Sequence, residues 1–220
     1  MSARPRPRRQ LRSADESRAK ILAAALGEFA ERGYRGASLG AIATRAGLSQ
    51  SGLLHHYPNK ELLLAALIER RNDDHRAEYE AAVHDDPDLG FLTGMVRLMS
   101  RATREIELTR LFTVVVAEAT SPDHPAHRWT VDRYDVVTAL VADALGHARD
   151  RGLLRKDFDV HATASTLLAA MDGLQLRYLL NESPLPIDRA FANLVGRILG
   201  DLTADTPEAA AKLKAWRAGL

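Results

Sequence analysis

The sequence predicts an all-α protein of about nine or ten helices, with a small N-terminal three-helix unit followed by a larger helical domain. Apolar residues recur at three- and four-residue spacing along most of the chain. The gaps between these segments carry capping residues, glycines or prolines. Only residues 112–119 (FTVVVAEA) resemble a strand, and they lie between helical patterns, so we interpret them as a buried helix.

The composition excludes several classes of protein chemistry. The 220 residues are 46% apolar and 27% charged, which allows a sizeable buried core. The chain has no cysteine, so disulfides, thiolate catalysis and cysteine-ligated zinc are excluded. No apolar run approaches the ~18 residues of a membrane span, and no signal peptide is recognisable. We therefore expect a cytoplasmic protein that does not interact with a membrane.

The charge is unevenly distributed along the chain. Residues 1–60 carry eleven Lys and Arg against four Asp and Glu, a net charge of +7. Residues 61–220 carry nineteen against twenty-five, a net charge of −6. Such a split indicates that the first part contacts a polyanion, although five of its arginines lie in a tail and uneven surface charge would look similar.

The chain begins with a basic segment and a long helix. Residues 1–12 contain five arginines and two prolines and should form a disordered arm. Ser13 and Glu16 have the spacing of a capping box, which predicts that the first helix spans residues 14–32. Gly33 should end this helix near the left-handed cap position.

Two short helices follow, joined by a tight turn. Ser38 and Ser49 are the predicted N-caps of helices ending near residues 46 and 56. Gly47 permits the left-handed turn between them, as in a helix-turn-helix motif. Pro58 breaks the chain again, and Asn59 caps a fourth helix.

The remainder also has helical periodicity. The C-terminal tail, residues 206–220, is expected to add a short helix. We divide the chain into the arm, a three-helix domain at residues 13–62 with its helix-turn-helix motif at about 37–56, and a larger helical domain at residues 63–205. The predicted helices of the second part span about 60–83, 88–104, 106–120, 124–151, 159–181 and 187–204.

The third helix presents chemistry that fits a DNA major groove. Leu53 and Tyr57 should face inward, which leaves a polar outer face. On that face Gln50 is suited to adenine and Leu54 to a thymine methyl group. The helix N-termini at Ser38 and Lys60 can offer free N–H groups to phosphates, and Lys60 adds a positive charge.

These features resemble the N-terminal domain of the TetR (tetracycline repressor) family. The similarity rests on the first helix "ILAAALGEFAERGY", the turn "S-L-x-x-I-A-x-x-A-G-L-S" and the following "LLHHYPNKE-LL", in this order and spacing. It covers residues 14–64, about a quarter of the chain. The rest matches the family in length and helical architecture.

The resemblance implies a homodimer that binds double-stranded DNA and has a small-molecule pocket in its second domain. By position, Ser38 and Lys60 contact phosphates. Ser51 stands where the family often has glycine and Leu54 where it often has tyrosine, which affects the target sequence. The predicted DNA-binding residues are Ser38, Ser49, Gln50, Ser51, Gly52, Leu54, His55, His56 and Lys60.

Two further sets of residues are candidates in the second domain, although for any single apolar residue ordinary core packing is the better explanation. The candidate pocket residues are Phe91, Met95, Met99, Phe112, Val116, Trp129, Tyr134, Leu168, Met171 and Gln175. The candidate dimer residues lie on the last two long helices and are Leu167, Leu174, Leu194, Ile198 and Leu202.

The histidines do not form a convincing metal site. His55 and His56 are adjacent, so their side chains point about 100° apart on a helix. His124 and His127, with Asp123, have a spacing that could bind a metal, but capping and solvent exposure explain it better. We predict no metal, no cofactor and no catalytic residues.

The leading hypothesis is therefore a bacterial transcriptional repressor that binds a palindromic operator as a dimer and is released by a small, hydrophobic effector. It would associate with the nucleoid when bound to DNA. The alternatives are an all-α enzyme with a DNA-binding head, and a helical adaptor that binds only protein.

Overall fold

The structure, a computed structural model, describes residues 8–180 and 186–219, with side chains from Asp15 onward. The described part contains ten α-helices and, apart from one isolated bridge between Leu154 and Thr203, no β-structure. The all-α prediction is confirmed. The helices are α1 Arg8–Gly36, α2 Leu39–Arg45, α3 Gln50–His56, α4 Lys60–Asp85, α5 Gly90–Arg104, α6 Ile106–Glu118, α7 His127–Asp150, α8 Val160–Leu180, α9 Ile187–Leu202 and α10 Pro207–Ala218.

The start of α1 was predicted wrongly. The helix begins at Arg8, so Ser13 lies inside it and does not cap it. Residues 8–12 are Arg, Arg, Gln, Leu and Arg, all of which favour helices, and this local preference outweighs the capping pattern. These five residues therefore belong to α1, not to a disordered arm, while residues 1–7 of the predicted arm lie outside the described residues.

The other predicted helices are present, with ends shifted by up to three residues. Gly33 has the predicted left-handed backbone, with φ of 70°, but helical residues continue beyond it to Gly36. Helix α7 begins at His127, three residues after the predicted start, because residues 121–126 form consecutive turns. The run at 112–119 is helical through Glu118, as interpreted. The predicted end of α8 at Asn181 lies outside the described residues.

The three-helix unit shares its core with the rest of the protein. Helix α1 lies between the short helices and α6, and both of its sides are apolar. The fully buried side chains at its centre come from five different helices. They are Phe29 of α1, Ile42 of α2, Leu53 of α3, Leu63 of α4 and Leu111 of α6.

A second core joins α5, α7, α8 and α9, and α10 covers one end of it. Met95 and Met99 of α5 are fully buried there. The indole N–H of Trp216 donates to the Thr93 hydroxyl at 2.8 Å, and the Lys212 ammonium donates to Asp86 Oδ1 at 2.7 Å. These contacts attach α10 to α5 and to the end of α4.

A carboxylate closes the junction between α1 and α6. The backbone N–H of Tyr34, just after the break in α1, donates to Glu118 Oε2 at 2.8 Å. A Cβ atom on Gly33 would lie 2.6 Å from Glu118 Oε1, so glycine provides both the left-handed φ and the space for the carboxylate. The end of α1 is thereby fixed to the end of α6.

A buried histidine supports the same carboxylate. His124 is almost fully buried, with Nε2 3.6 Å from Glu118 Oε2, and the Tyr34 ring packs edge-on against it at 5.0 Å. Burial lowers the pKa of His124 despite the neighbouring Glu118. His124 Nδ1 accepts the Ala126 N–H within the turn before α7, but the N-cap of that helix is Ala126 and no side chain caps it, so the predicted capping role and the predicted exposure of His124 are both wrong.

Replacing Gly33 with alanine should destabilise the protein by about 2 kcal/mol or more. Alanine at positive φ costs about 1–2 kcal/mol, and displacing the Glu118 carboxylate costs its hydrogen bond to Tyr34 in addition. Chemical denaturation of the Gly33→Ala variant measures this change.

Gly146→Ala in α7 is the matched control, since a Cβ there meets nothing within 4 Å. It should be neutral or stabilise the protein by up to about 1 kcal/mol. Equal stability changes in the two variants would contradict the role assigned to Gly33.

Candidate nucleic-acid interface and ligand cavity

The turn between α2 and α3 is built by two serine caps and one glycine. Ser38 Oγ accepts the Ala41 N–H at 3.1 Å, and Ser49 Oγ accepts the Gly52 N–H at 3.1 Å. Between the two helices Gly47 has φ of 68°. Both short helices therefore begin at the predicted residues, and the turn holds them in a fixed relative orientation.

Helix α3 has one buried face and one free face. Leu53 is fully buried, and Tyr57 is partly buried, as predicted from their spacing. The opposite face is exposed and consists of Gln50, Ser51, Leu54 and His55, while Gly52 and His56 are partly exposed. The structure thus brings the predicted α3 residues together on one side of one helix.

Local contacts modify the chemistry of this face. The hydroxyl oxygens of Ser49 and Ser51 are 3.0 Å apart and form a hydrogen bond in which either group can be the donor. A Cβ on Gly52 would lie 3.2 Å from Ser49 Oγ and would press on the cap. The pKa of His56 is lowered by burial first and then by the charges of His55 and Arg18. His56 is therefore neutral at pH 7 and adds no positive charge to the face.

Lys60 is anchored to the protein. Its ammonium donates to the carbonyl oxygen of Ala37 at 3.0 Å and of Arg35 at 3.4 Å, and lies 4.5 Å from the centre of the Tyr34 ring. The Tyr34 hydroxyl in turn donates to Glu61 Oε1 at 2.9 Å. An ammonium group has three donors, so one remains for a phosphate. The sequence did not predict these two internal bonds.

Two adjoining cavities lie between α4, α6, α7 and α8 and share Tyr134 and Gln175 in their walls. One, of about 40 Å³, lies against α5 and is also lined by Leu168 and Met171. The second, of about 280 Å³, includes Phe112 and Val116. An open groove of about 850 Å³ between α4 and α7 includes Phe91 and Trp129. Eight of the ten candidate pocket residues therefore line a cavity or groove.

Met95 and Met99 are the exceptions among the candidates. Both are fully buried in the second core and line none of these cavities, so their assignment to the pocket was wrong. Apolar residues at helical spacing do not show which face of α5 borders empty space. Met99 contacts a residue of the cavity wall, because its sulfur accepts a weak hydrogen bond from Gln175 Nε2 at 3.7 Å, but it does not line the cavity itself.

The sequence did not predict that basic residues line the cavity. Arg71 and His75 of α4 and Arg133 of α7 all face this space, beside Asp172 of α8. The Tyr134 hydroxyl donates to Asp172 Oδ2 at 2.6 Å, which raises the pKa of Tyr134 together with burial. Arginines on a long, highly charged helix such as α4 look like surface residues in the sequence, so no pattern singled them out.

The candidate dimer residues divide into two groups. Leu167 and Leu202 are only 1% and 7% exposed and belong to the core of their own chain, so their assignment to a dimer interface was wrong. Leu174, Leu194 and Ile198 are partly buried and remain predictions. A run of exposed residues on α8 at helical spacing was not predicted as a set, and we call it the α8 stripe: Ala169, Gly173, Leu176 and Leu180.

Within the described residues no three His, Cys, Asp or Glu side chains are grouped so that they could hold a metal ion. None of the helices there is long and apolar enough to span a membrane.

Two family models match the chain. The model for bacterial regulatory proteins of the tetR family matches residues 21–67, and the model for the C-terminal part of BetI-type transcriptional repressors matches residues 92–204. The transcriptional regulator ArpR of Pseudomonas putida is 30% identical over 186 residues, which cover 79% of this chain and 85% of that protein.

Solved structures show the same fold. SmeT, a repressor from Stenotrophomonas maltophilia, superposes in its triclosan complex with a TM-score of 0.74, at 23% identity over 86% of this chain and 92% of that one. A TetR-family regulator from Rhodococcus gives a TM-score of 0.65, at 26% identity over 84% of this chain and 97% of that one. The relatives are regulators and not enzymes, which confirms the prediction on catalysis and does not favour the alternative hypotheses. The chain belongs to the TetR family of DNA-binding transcriptional regulators.

Proposed function

We propose that the protein is a homodimeric repressor that binds a palindromic operator and is released by a small-molecule effector. The observation that carries this proposal is the exposed face of α3, held rigidly by the Ser38 and Ser49 caps. Members of the family bind DNA as dimers and respond to small effectors. As a DNA-binding regulator it would act in the bacterial cytoplasm and associate with the nucleoid when bound.

Helix α3 is the proposed reader of base sequence. Gln50 and Leu54 lie on its exposed face, where an amide can pair with adenine and a leucine can contact a thymine methyl group. Ser51 and His55 are their neighbours and are suited to base edges or phosphates. Gly52 lets the backbone approach the DNA closely, and His56 lies at the margin of the contact.

Phosphate contacts would fix the position of α3 in the groove. The exposed Ser38 and Ser49 are at helix N-termini, where unpaired N–H groups attract anions. Lys60 adds the remaining donor of its ammonium group. Because such contacts release counterions, affinity should fall steeply as the salt concentration rises.

The α8 stripe is the proposed dimer surface, together with the partly buried Leu174, Leu194 and Ile198. Its four residues recur every three or four positions and leave a continuous apolar strip with a small residue, Gly173, near its centre. Leu176 and Leu180 in this strip are 46% and 74% exposed, and neighbouring exposed apolar residues that form one patch indicate a contact with another surface. A two-fold axis would bring the strip of one protomer against that of its partner.

The effector would bind in the cavities between α4, α6, α7 and α8. The structural relative SmeT was solved as a complex with triclosan, a small molecule. Helix α6 forms part of the cavity wall through Phe112 and Val116, and its last residue, Glu118, holds the end of α1. A ligand that displaces α6 would therefore displace the three-helix unit.

Gln50→Ala should change the preferred operator sequence. The amide is on the exposed face, so its loss removes base discrimination of about 1–3 kcal/mol at one position and leaves phosphate contacts unchanged. Selection of bound sequences from a random DNA library, followed by footprinting, measures the preference. Equal weakening on all sequences would show that Gln50 does not read bases.

Leu54→Ala and Leu62→Ala form a matched pair on exposed leucines. Leu54 is 37% exposed on α3, and Leu62 is 50% exposed on α4 outside the recognition helix. Only Leu54→Ala should relax the preference for thymine, by about 1 kcal/mol for the lost apolar contact. The same shift in both variants would place the DNA surface elsewhere.

Leu180→Glu should convert the dimer to a monomer at micromolar concentration. A carboxylate in the apolar α8 stripe would be buried without a partner in the dimer, whereas in the monomer it is solvated. Analytical ultracentrifugation measures the change, and Leu62→Glu serves as the control that keeps the dimer. An unchanged dimer in Leu180→Glu would exclude this end of α8 from the interface.

A further inference from the structure

Arg71 is a buried cation that has no anionic partner in the part of the chain that the structure describes. It lies in the middle of α4 and is only 8% exposed. Its guanidinium stacks on the Phe112 ring, 3.9 Å from the ring centre. No Asp or Glu of the described residues forms an ion pair with it. Arginine is almost never buried in this way without a paired charge.

Arg133 is a second unpaired cation at the same cavity. It projects from α7, is partly buried, and likewise lacks an ion pair among the described residues. Burial, followed by the charge of Arg133, lowers the pKa of Arg71 to about 9. Burial and the charges of Arg71 and Arg133 lower the pKa of His75 to about 2. The interior of the cavity is therefore electropositive, and His75 stays neutral.

The cavity wall contains two carboxylates, those of Asp172 and Glu105. Glu105 accepts from Arg101 Nε at 2.9 Å, and Arg101 also pairs with Asp74 at 3.0 Å. Asp172 accepts the neutral Tyr134 hydroxyl at 2.6 Å, which leaves its negative charge in place, and forms no ion pair with either arginine. Arg71 and Arg133 therefore carry two positive charges beside the single charge of Asp172, an excess of one.

We propose that the effector is an amphipathic organic acid whose carboxylate is bound between Arg71 and Arg133. This inference rests on the proposed ligand-responsive function and defines the chemical class of its ligand. A guanidinium group in a poorly hydrated site binds a carboxylate strongly and with two parallel hydrogen bonds. The predicted hydrophobic effector would thus also carry an anionic group at one end.

The rest of the cavity is suited to an apolar body. The cavity beside α6 is mostly apolar apart from the arginines and Asp172, whereas the smaller cavity against α5 also has polar walls that include His75, Arg101 and Glu105. An alkyl or aryl group would lie along these walls, while Tyr134 and Gln175 offer further polar contacts. The apolar wall residues are Leu98, Leu108, Phe112, Val116, Leu168 and Met171.

Matched acids and neutral analogues test the ligand class. Isothermal titration of the full chain would compare decanoate with decanamide, and 2-naphthoate with 2-naphthamide. Charge-assisted hydrogen bonds contribute about 1.5–3 kcal/mol, so at least one acid should bind roughly ten- to a hundredfold more tightly than its amide. Equal affinity within both pairs, or no binding by either acid below millimolar concentration, would overturn the proposal.

Three substitutions test the residues. Arg71→Met and Arg133→Met should each remove the preference for the acid over the amide. Arg155→Met is the control, since it removes one exposed charge, paired with Asp157 at 3.3 Å, outside the cavity. Arg71→Met should also unfold at the same temperature as the unmodified protein or above, because methionine needs no partner. A lower melting temperature together with an unchanged acid preference would show that Arg71 is a structural residue.

DNA binding separates this inference from the proposed function. Footprinting with genomic fragments establishes an operator without any ligand, and the same acids are then added to that complex. A protected palindrome that no acid releases, with acids and amides bound equally, would contradict the effector class and leave the DNA-binding function intact. Failure to protect any DNA would contradict the function, whatever the ligand results.

Discussion

The packing of α1 against α6 is the constraint on which the rest of the structure depends. Apolar side chains of α1 and α6 share one core, and Glu118 closes the junction by accepting the Tyr34 N–H. Each such buried side chain contributes about 1.5–3 kcal/mol, more than a single hydrogen bond does. The shared core therefore supplies most of the free energy that holds α1 against α6. Glu118 and Gly33 fix the position of the end of α1 relative to the end of α6. The short helices α2 and α3 pack on α1, so their position follows that of α6.

Helix α6 consequently has two different faces with different tasks. Leu111 and Val115 pack against the three-helix unit, while Thr113 and Val116 border the cavity. Because a helix as short as α6 moves as a rigid body, a shift of the face that borders the cavity also shifts the face that packs against the three-helix unit. Under the proposed function, two conformations of the protein differ in the position of α6. The effector changes DNA affinity if it binds one of these conformations more tightly than the other. An effector that binds both conformations equally tightly would not change DNA affinity.

Local sequence signals predicted the exposed face of α3, and the features that the sequence did not predict depend on long-range contacts. Serine caps, Gly47 and the spacing of Leu53 act within a few residues, so they were visible in the sequence. Glu118 acts on Tyr34 across 84 positions, and Arg71 meets Phe112 of another helix. Such pairs depend on how the helices pack. For the same reason, Leu167 and Leu202 looked like interface residues in the sequence but are buried in their own chain.

The unpaired arginines also bear on how a regulator can respond to its ligand. A buried charge without a partner destabilises the state that contains it, because the interior solvates it poorly. Under the proposed ligand class, a bound carboxylate would remove that penalty, and the relief would be available only in the conformation that lets both arginines reach it. Each 1.4 kcal/mol of such differential binding changes the ratio of the two conformations tenfold. A buried arginine that lowers the stability of the ligand-free protein would therefore suit a ligand-responsive regulator, because it increases the free-energy difference between the ligand-free and the ligand-bound conformation.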